Sequence, residues 1–342
     1  MPKHFRLFII LISLSFMVTA SFTENIYLSG NYSILQSYPY GCYWKNGKRM
    51  EEYESVASGG VGSAFATSIC VSGNDVYVGC YYTTESPWYA CYWKNGKSIK
   101  LSDNAEVQSL AVSGNDLYAS GFRWNAGKEK KVYIACYWIN GKCYDLPLPE
   151  EGNARADQIV VSGNNIYLGG CYYKDNYTET KPCYWENGVF FKLDTGSQPN
   201  GAVYSLAVYK DDVYFAGCTN DGKQFQACYW KNGVRTDLKI NGRKEDSLAT
   251  YIFINQGDIY IGGNYSKGSS VACYWLNNIN IDLSDPAKES AVVTSIFFFD
   301  GNVYSAGYYF KKGLSQTKAC YWKNKQRFDL EGIQASSIFV TK

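Results

Sequence analysis

Seven of the twelve cysteines sit in one recurring string. It reads ACYWKNG from Ala90, with close copies starting at Gly41, Ala135, Pro182, Ala227, Ala272 and Ala319. Cys42, Cys91, Cys136, Cys183, Cys228, Cys273 and Cys320 are therefore spaced 49, 45, 47, 45, 45 and 47 residues apart. A thiol can pair, bind a soft metal or attack a substrate. One cysteine per unit in equivalent places does not bring two sulfurs together, so these seven read as small buried apolar side chains. The other five are Cys70, Cys80, Cys143, Cys171 and Cys218. Three of these precede a motif cysteine by 11, 12 and 10 residues. Cross-strand disulfides Cys80–Cys91, Cys171–Cys183 and Cys218–Cys228 are therefore open possibilities.

Other reactive chemistry is sparse. The one histidine, His4, lies in the N-terminal leader. Without it the chain cannot build a Ser-His-Asp or Cys-His pair or an imidazole metal site. No phosphate-binding loop, dinucleotide fingerprint or EF-hand-like spacing occurs, so neither a cofactor nor a metal is expected. Paired carboxylates remain available for glycoside chemistry, from Glu51, Glu52, Glu54, Glu85, Asp103, Glu106, Asp175, Glu179 and Asp221.

Lys3, His4 and Arg6 precede an apolar run from Leu7 to Val18, and Val18-Thr19-Ala20 offers a small-residue cleavage pattern. Residues 1–20 therefore read as a signal peptide, followed by a single domain over 21–342. The expected location is secreted, periplasmic or at the cell surface, with no integral membrane segment after cleavage. Taking Lys3 and Arg6 from the 33 basic residues leaves 31 against 31 acidic ones. Nucleic acid is not an expected partner for so balanced a charge.

The unit that positions the motif has four short apolar segments. Runs such as Asp75-Val76-Tyr77-Val78-Gly79 and Asp212-Val213-Tyr214-Phe215-Ala216 read as strands. Before each lies another, over Thr67–Val71, Gln108–Val112, Asp157–Val161, Tyr204–Val208, Thr250–Ile254 and Thr294–Phe298. The CYW string makes a third, and after an Asn-Gly turn a fourth ends near Leu101, Leu146, Leu193, Leu238, Leu283 or Leu330. A four-stranded antiparallel meander with a period near 45 is a propeller blade. Burying one tryptophan per blade would stabilise the ring by about 1.5–3 kcal/mol or more each. The first unit lacks an inner strand, while Ser336–Val340 is an inner strand with nothing after it. The expectation is an all-β, seven-bladed β-propeller, closed by the C-terminal strand pairing with the N-terminal blade.

The unit from Ser72 to Leu101 resembles a repeat of uncharacterised secreted or surface-associated bacterial proteins. It is similar to WD-type and kelch-type propellers in unit size only, since their Gly-His, Trp-Asp and double-glycine landmarks are missing. The resemblance implies a propeller and assigns no catalytic or ligand residue.

Two of the four connections per blade are short and regular. The other two, on the opposite face, vary in length and composition, and binding usually resides in such loops. Candidate ligand-binding residues there are Trp88, Trp124, Phe225, Tyr82, Tyr177, Arg123 and Tyr309. The run Lys128-Glu129-Lys130-Lys131 reads as a solvated hairpin tip, and Asn31, Asn176 and Asn264 open N-glycan acceptor patterns. The expected function is a secreted, monomeric, noncatalytic binding module for an extracellular protein or glycan. The alternatives are a carbohydrate-active enzyme, glycoside hydrolase or lyase, and a structural envelope protein.

Overall fold

A computed structural model describes residues 24–33, 39–50, 63–83, 88–125, 131–174, 179–241, 245–311 and 313–342. The leader reading, Tyr177 and the Asn176 acceptor pattern lie outside these residues. Among the described residues there is no helix, and so none long and apolar enough to cross a membrane. The strands form seven separate four-stranded antiparallel sheets. Blade 1 holds residues 25–49 together with Gln334–Thr341, and blades 2 to 7 follow at 63–103, 105–145, 153–192, 200–237, 247–282 and 290–329. Each inner strand borders the inner strands of the blades on either side, in an unbroken cycle.

The closure is the one expected. Leu28 pairs with Ile338 and Tyr27 with Phe339, so the last strand becomes the innermost strand of blade 1. Blade 5 shows the common plan. Asn200–Tyr209 lies innermost, then Asp212–Asn220, Phe225–Lys231 and, at the rim, Val234–Asp237.

Alternation along the CYW strand sends its side chains to two different cores. Cys228 and Trp230 pack against Tyr167 and Leu193 of the preceding blade, while Ala227 packs with Ile252, Cys273 and Trp275 of the following one. The core is therefore a set of interblade layers rather than one central mass. All seven motif tryptophans are buried. Among the described contacts, four indoles also tie blades together, because the N–H donates to the segment closing the preceding blade. The pairs are Trp138 to Ser102 Oγ, Trp185 to Pro147 O, Trp230 to Asp194 O and Trp275 to Lys239 O, at 2.7–3.1 Å. Trp44, at the closure, has no partner for its N–H among the described residues.

The asparagine of the motif does more than turn the chain. Asn46, Asn95, Asn140, Asn187, Asn232, Asn277 and Asn324 all adopt positive φ, between 48° and 56°. In every blade its Oδ1 accepts the N–H of the second residue of the second strand, as in Val213 to Asn232 at 2.9 Å. Its Nδ2 reaches back to the aspartate or asparagine just before, 2.7 Å to Asp212 in blade 5. The Asp of the DVY run and the Asn of the CYWKNG run are thus the two halves of one clasp.

Of the three possible disulfides, one is formed. Cys80 lies directly opposite Cys91, with Cα atoms 5.1 Å apart and the sulfurs bonded. Cys171 faces Pro182, and Cys218 faces Ala227. Each is one residue out of step with its motif cysteine and points to the other side of the sheet, so Cys171, Cys183, Cys218 and Cys228 are free.

Candidate functional site

Every inner strand carries one extra residue at the same depth. These bulges fall at Thr67, Gln108, Asp157, Tyr204, Thr250, Thr294 and Ser336. A bulge redirects the side chain it holds. In blades 2, 6 and 7 the residue is threonine, and its hydroxyl donates to the next blade's inner strand. Thr67 reaches Val107 O at 3.0 Å, Thr250 reaches Val293 O at 2.7 Å and Thr294 reaches Ala335 O at 2.7 Å. The next residue adds a second stitch in three blades. Ser68, Ser205 and Ser295 accept the N–H of Leu110, Ile252 and Ile338 respectively.

Blades 3, 4 and 5 break the threonine pattern with Gln108, Asp157 and Tyr204. These side chains line a cavity of about 300 Å³ at the mouth of the central channel, on the variable-loop side. Arg155, two residues before the bulge in blade 4, joins them and pairs with Asp157, its Nε 3.1 Å from Oδ2. Glu106 holds the equivalent place in blade 3 and accepts from Gln108 Nε2 at 3.2 Å. Burial pushes the Glu106 carboxyl up to about 7, although Lys131 and Arg155 oppose the shift. Burial also raises the Asp157 carboxyl, against the pull of Arg155, and the Asp157 charge holds the Arg155 guanidinium above its ordinary range. The mouth therefore combines a fixed cation, its counter-ion and a carboxyl poised near neutrality.

Below this level a side-chain bridge reaches into the channel. Gln158 of blade 4 donates through Nε2 to the Tyr251 hydroxyl of blade 6 at 3.1 Å, and both residues line the cavity above and the space below. That lower space is mainly apolar, about 390 Å³, and walled by residues such as Val71, Val160, Phe297 and Phe339. A ligand entering from the variable face meets the polar cavity first.

The structure brings some of the sequence candidates together. Trp88 stacks on Tyr81 at 6.0 Å between centroids and meets Trp124 edge-on at 5.7 Å. Lys131 caps the group, its Nζ 3.9 Å from the Trp124 centroid. Trp124 is only 9% exposed, so its face is taken by Lys131 and its neighbours. Lys131 also opposes the rise of the Glu106 carboxyl. Phe225 stands apart on blade 5, 43% exposed, at the edge of a groove shared with Arg155 and Tyr204.

Other candidates are engaged within their own blades. Tyr82 packs on Tyr89 at 4.9 Å. Arg123 forms a two-pronged pair with Asp145, at 2.7 and 2.5 Å. Tyr309 is 1% exposed, donates to Asp329 Oδ2 at 3.0 Å and lies 3.8 Å beneath the Arg327 guanidinium. Sequence reasoning missed Gln108, Arg155, Asp157 and Tyr204 because they lie inside strands rather than loops. The signal available was the column Thr67, Gln108, Asp157, Tyr204, Thr250, Thr294, in which three adjacent units depart from threonine.

No family model matches the chain, and no curated protein matches it. Several solved structures do. One is the polysaccharide lyase PL25, an ulvan lyase bound to -[GlcA(1-4)Rha3S]-, at TM-score 0.47 and 10% identity, covering 79% of this chain and 83% of that one. Another is the β-propeller domain of the Trilobed protease from Pyrococcus furiosus, at TM-score 0.46 and 13% identity, covering 78% and 82%. A third is TolB from Acinetobacter baumannii, at TM-score 0.44 and 9% identity, covering 74% and 61%. With TM-scores under 0.5, none of them bears on ligand or reaction, and the chain's own residues must do so.

Proposed function

We propose that the protein is a secreted, noncatalytic binding module whose variable face recognises a protein or glycan, with the channel mouth at its centre. One observation carries this reading. Where blades 2, 6 and 7 place a stitching threonine, three consecutive blades place Gln108, Asp157 and Tyr204, which make no interblade hydrogen bond among the described residues and line the mouth cavity beside Thr250 and Thr294. Giving up interblade hydrogen bonds at three adjacent places has a stability cost, and a ligand site accounts for it. Secretion is supported by the leader composition of residues 1–20.

The test compares the wild-type protein with Gln108→Thr/Tyr204→Thr on peptide and glycan arrays. Loss of a specific binding signal in a variant that keeps or raises its melting temperature is the expected result. An unchanged signal would place recognition elsewhere on the ring.

A second reading has its own observation. Glu106, with its carboxyl raised to about 7, and Asp157, paired with Arg155, both sit at the mouth. Carboxyl groups in contrasting environments are the equipment of glycoside cleavage, where one acts as acid and the other as nucleophile or base. If a bound glycan is cleaved and Glu106→Gln stops the cleavage while binding persists, the enzyme reading replaces the first. A bound glycan recovered intact after prolonged incubation excludes it.

A further inference from the structure

The groove between blades 4 and 5 is separate from the channel mouth but shares two of its residues. It encloses about 270 Å³ and is lined by Arg155, Thr180, Asn200, Tyr204, Asn220 and Phe225 among others, and Arg155 and Tyr204 also line the mouth cavity. The two spaces therefore meet at those side chains. The groove lies near the lower end of small-molecule pockets, about 300 Å³, and suits one ring rather than a larger ligand.

Asn200 is the telling residue. It stands four places before the bulge, where Asn153, Asp246 and Ser290 stand in blades 4, 6 and 7. Those three side chains each accept an N–H from the third strand of the preceding blade: Tyr133 at 2.9 Å, Phe225 at 2.9 Å and Ser270 at 3.2 Å. Asn200 does not repeat this contact. Its Oδ1 is buried with no hydrogen-bond partner among the described residues. A buried acceptor left unmade is costly, so it marks a place where something else can donate.

We propose that this groove is a saccharide subsite, in which a sugar hydroxyl donates to Asn200 Oδ1, ring oxygens or an acidic substituent accept from Arg155, and the apolar sugar face lies on Phe225. The proposal rests on reading the channel mouth as a ligand site and assigns its ligand class. A hydroxyl donates and accepts at once, which matches a wall where an orphan acceptor, a guanidinium and the amphoteric Tyr204 stand together. Among the described residues no carboxylate lines the groove, and the polar groups that do are amides, hydroxyls and a guanidinium. The open Phe225 ring offers the flat apolar surface that a sugar ring covers. A second ring would continue past Arg155 into the mouth.

The experiment uses an array of immobilised mono- to tetrasaccharides, neutral and uronate-bearing, alongside a peptide array, with titration of the best saccharide. Asn200→Ala and Phe225→Ala are expected to weaken saccharide binding about tenfold each, the scale of one lost hydrogen bond or contact. Circular dichroism and melting temperature check that both remain folded. Saccharide binding unchanged in both variants but lost in Gln108→Thr/Tyr204→Thr would overturn the groove assignment and leave the mouth reading standing. Binding to peptides alone would overturn the ligand class. Silence on both arrays would overturn the mouth reading together with the subsite.

Discussion

If blades 3 to 5 traded a stitch for a site, restoring the stitch should stabilise the ring. Gln108→Thr is the cleanest case, since among the described residues the Gln108 side chain donates only to Glu106. In blade 6, Thr250 donates at 2.7 Å to the carbonyl of Val293 and lies 3.1 Å from that of Gly262. The corresponding carbonyls for residue 108 are those of Ala156 and Ser120, by the shared register of the blades. One net intramolecular hydrogen bond contributes about 0.5–1.5 kcal/mol, and a β-branched residue adds a few tenths in a strand. Setting the Glu106 contact against this leaves a gain of about 1 kcal/mol, or about 1–3 °C in melting temperature for a chain of this size.

The reciprocal change, Thr67→Val, keeps shape but deletes the hydroxyl that reaches Val107 O, and should lose about 1 kcal/mol. Thermal unfolding followed by circular dichroism, with urea titration as a second measure, reads both. Two results would refute the reasoning. Gln108→Thr could destabilise as much as Thr67→Val does, or Thr67→Val could cost nothing. Either would mean that the threonine column is not a stitch and that its interruption says nothing of function.

Further outcomes follow from other contacts. Asn232→Gly loses the side-chain clasp but also removes the Cβ from the left-handed region, whereas Asn232→Ala loses the clasp and keeps that Cβ, so the alanine variant should be less stable than the glycine one by about 1 kcal/mol in denaturant titration. Because the folded Glu106 carboxyl is raised to about 7, the native state binds more protons than the unfolded one between about pH 4.5 and 7. Its contribution to stability therefore falls as pH rises through that window, and Glu106→Gln should remove that part of the decline in a melting-temperature series from pH 4.5 to 8. Peptide mapping without reductant should recover Cys80 linked to Cys91, and Cys171, Cys183, Cys218 and Cys228 as thiols. A Cys171–Cys183 peptide would contradict the strand register.

The blade plan was legible because each strand must bury a repeated apolar pattern, and a period near 45 leaves few ways to do so. The closure was legible from two incomplete ends, Asn25–Tyr32 without an inner strand and Gln334–Thr341 without a blade. The disulfide choice was also present in the sequence, but only in exact counts. Cys80 follows Tyr77 by three residues, while Cys171 and Cys218 follow Tyr167 and Tyr214 by four, and one step turns the side chain to the other face. The site was harder to see. Attention to variable loops found Trp88, Trp124 and Phe225, and among the loop acids Glu106. It passed over Arg155 and Asp157, since a strand interior normally spends its polar groups on structure. Nothing in the sequence signalled that Lys131 would close over Trp124, because that contact depends on how the two ends of one connection, between the second and third strands of blade 3, come together.

Redundancy explains why a ring of this kind can bear such a site. The interblade layers, the tryptophan contacts and the asparagine clasp are repeated around the ring, so loosening one column of stitches in three blades leaves the others in place. The position of the departures matters more than their number. Glu106 and Arg155 break the apolar column two residues before the bulge, Gln108, Asp157 and Tyr204 break the threonine column, Gln158 breaks the serine column after it, and Asn200 leaves an acceptor unused four residues before it. Blades 1 and 6 also depart from these columns, with Gln334, Ser336 and Tyr251, but their departures carry no charge. The charged residues at and two places before the bulge, Glu106, Arg155 and Asp157, all fall in the adjacent blades 3 and 4, where the ring concentrates its electrostatics on one arc of the channel.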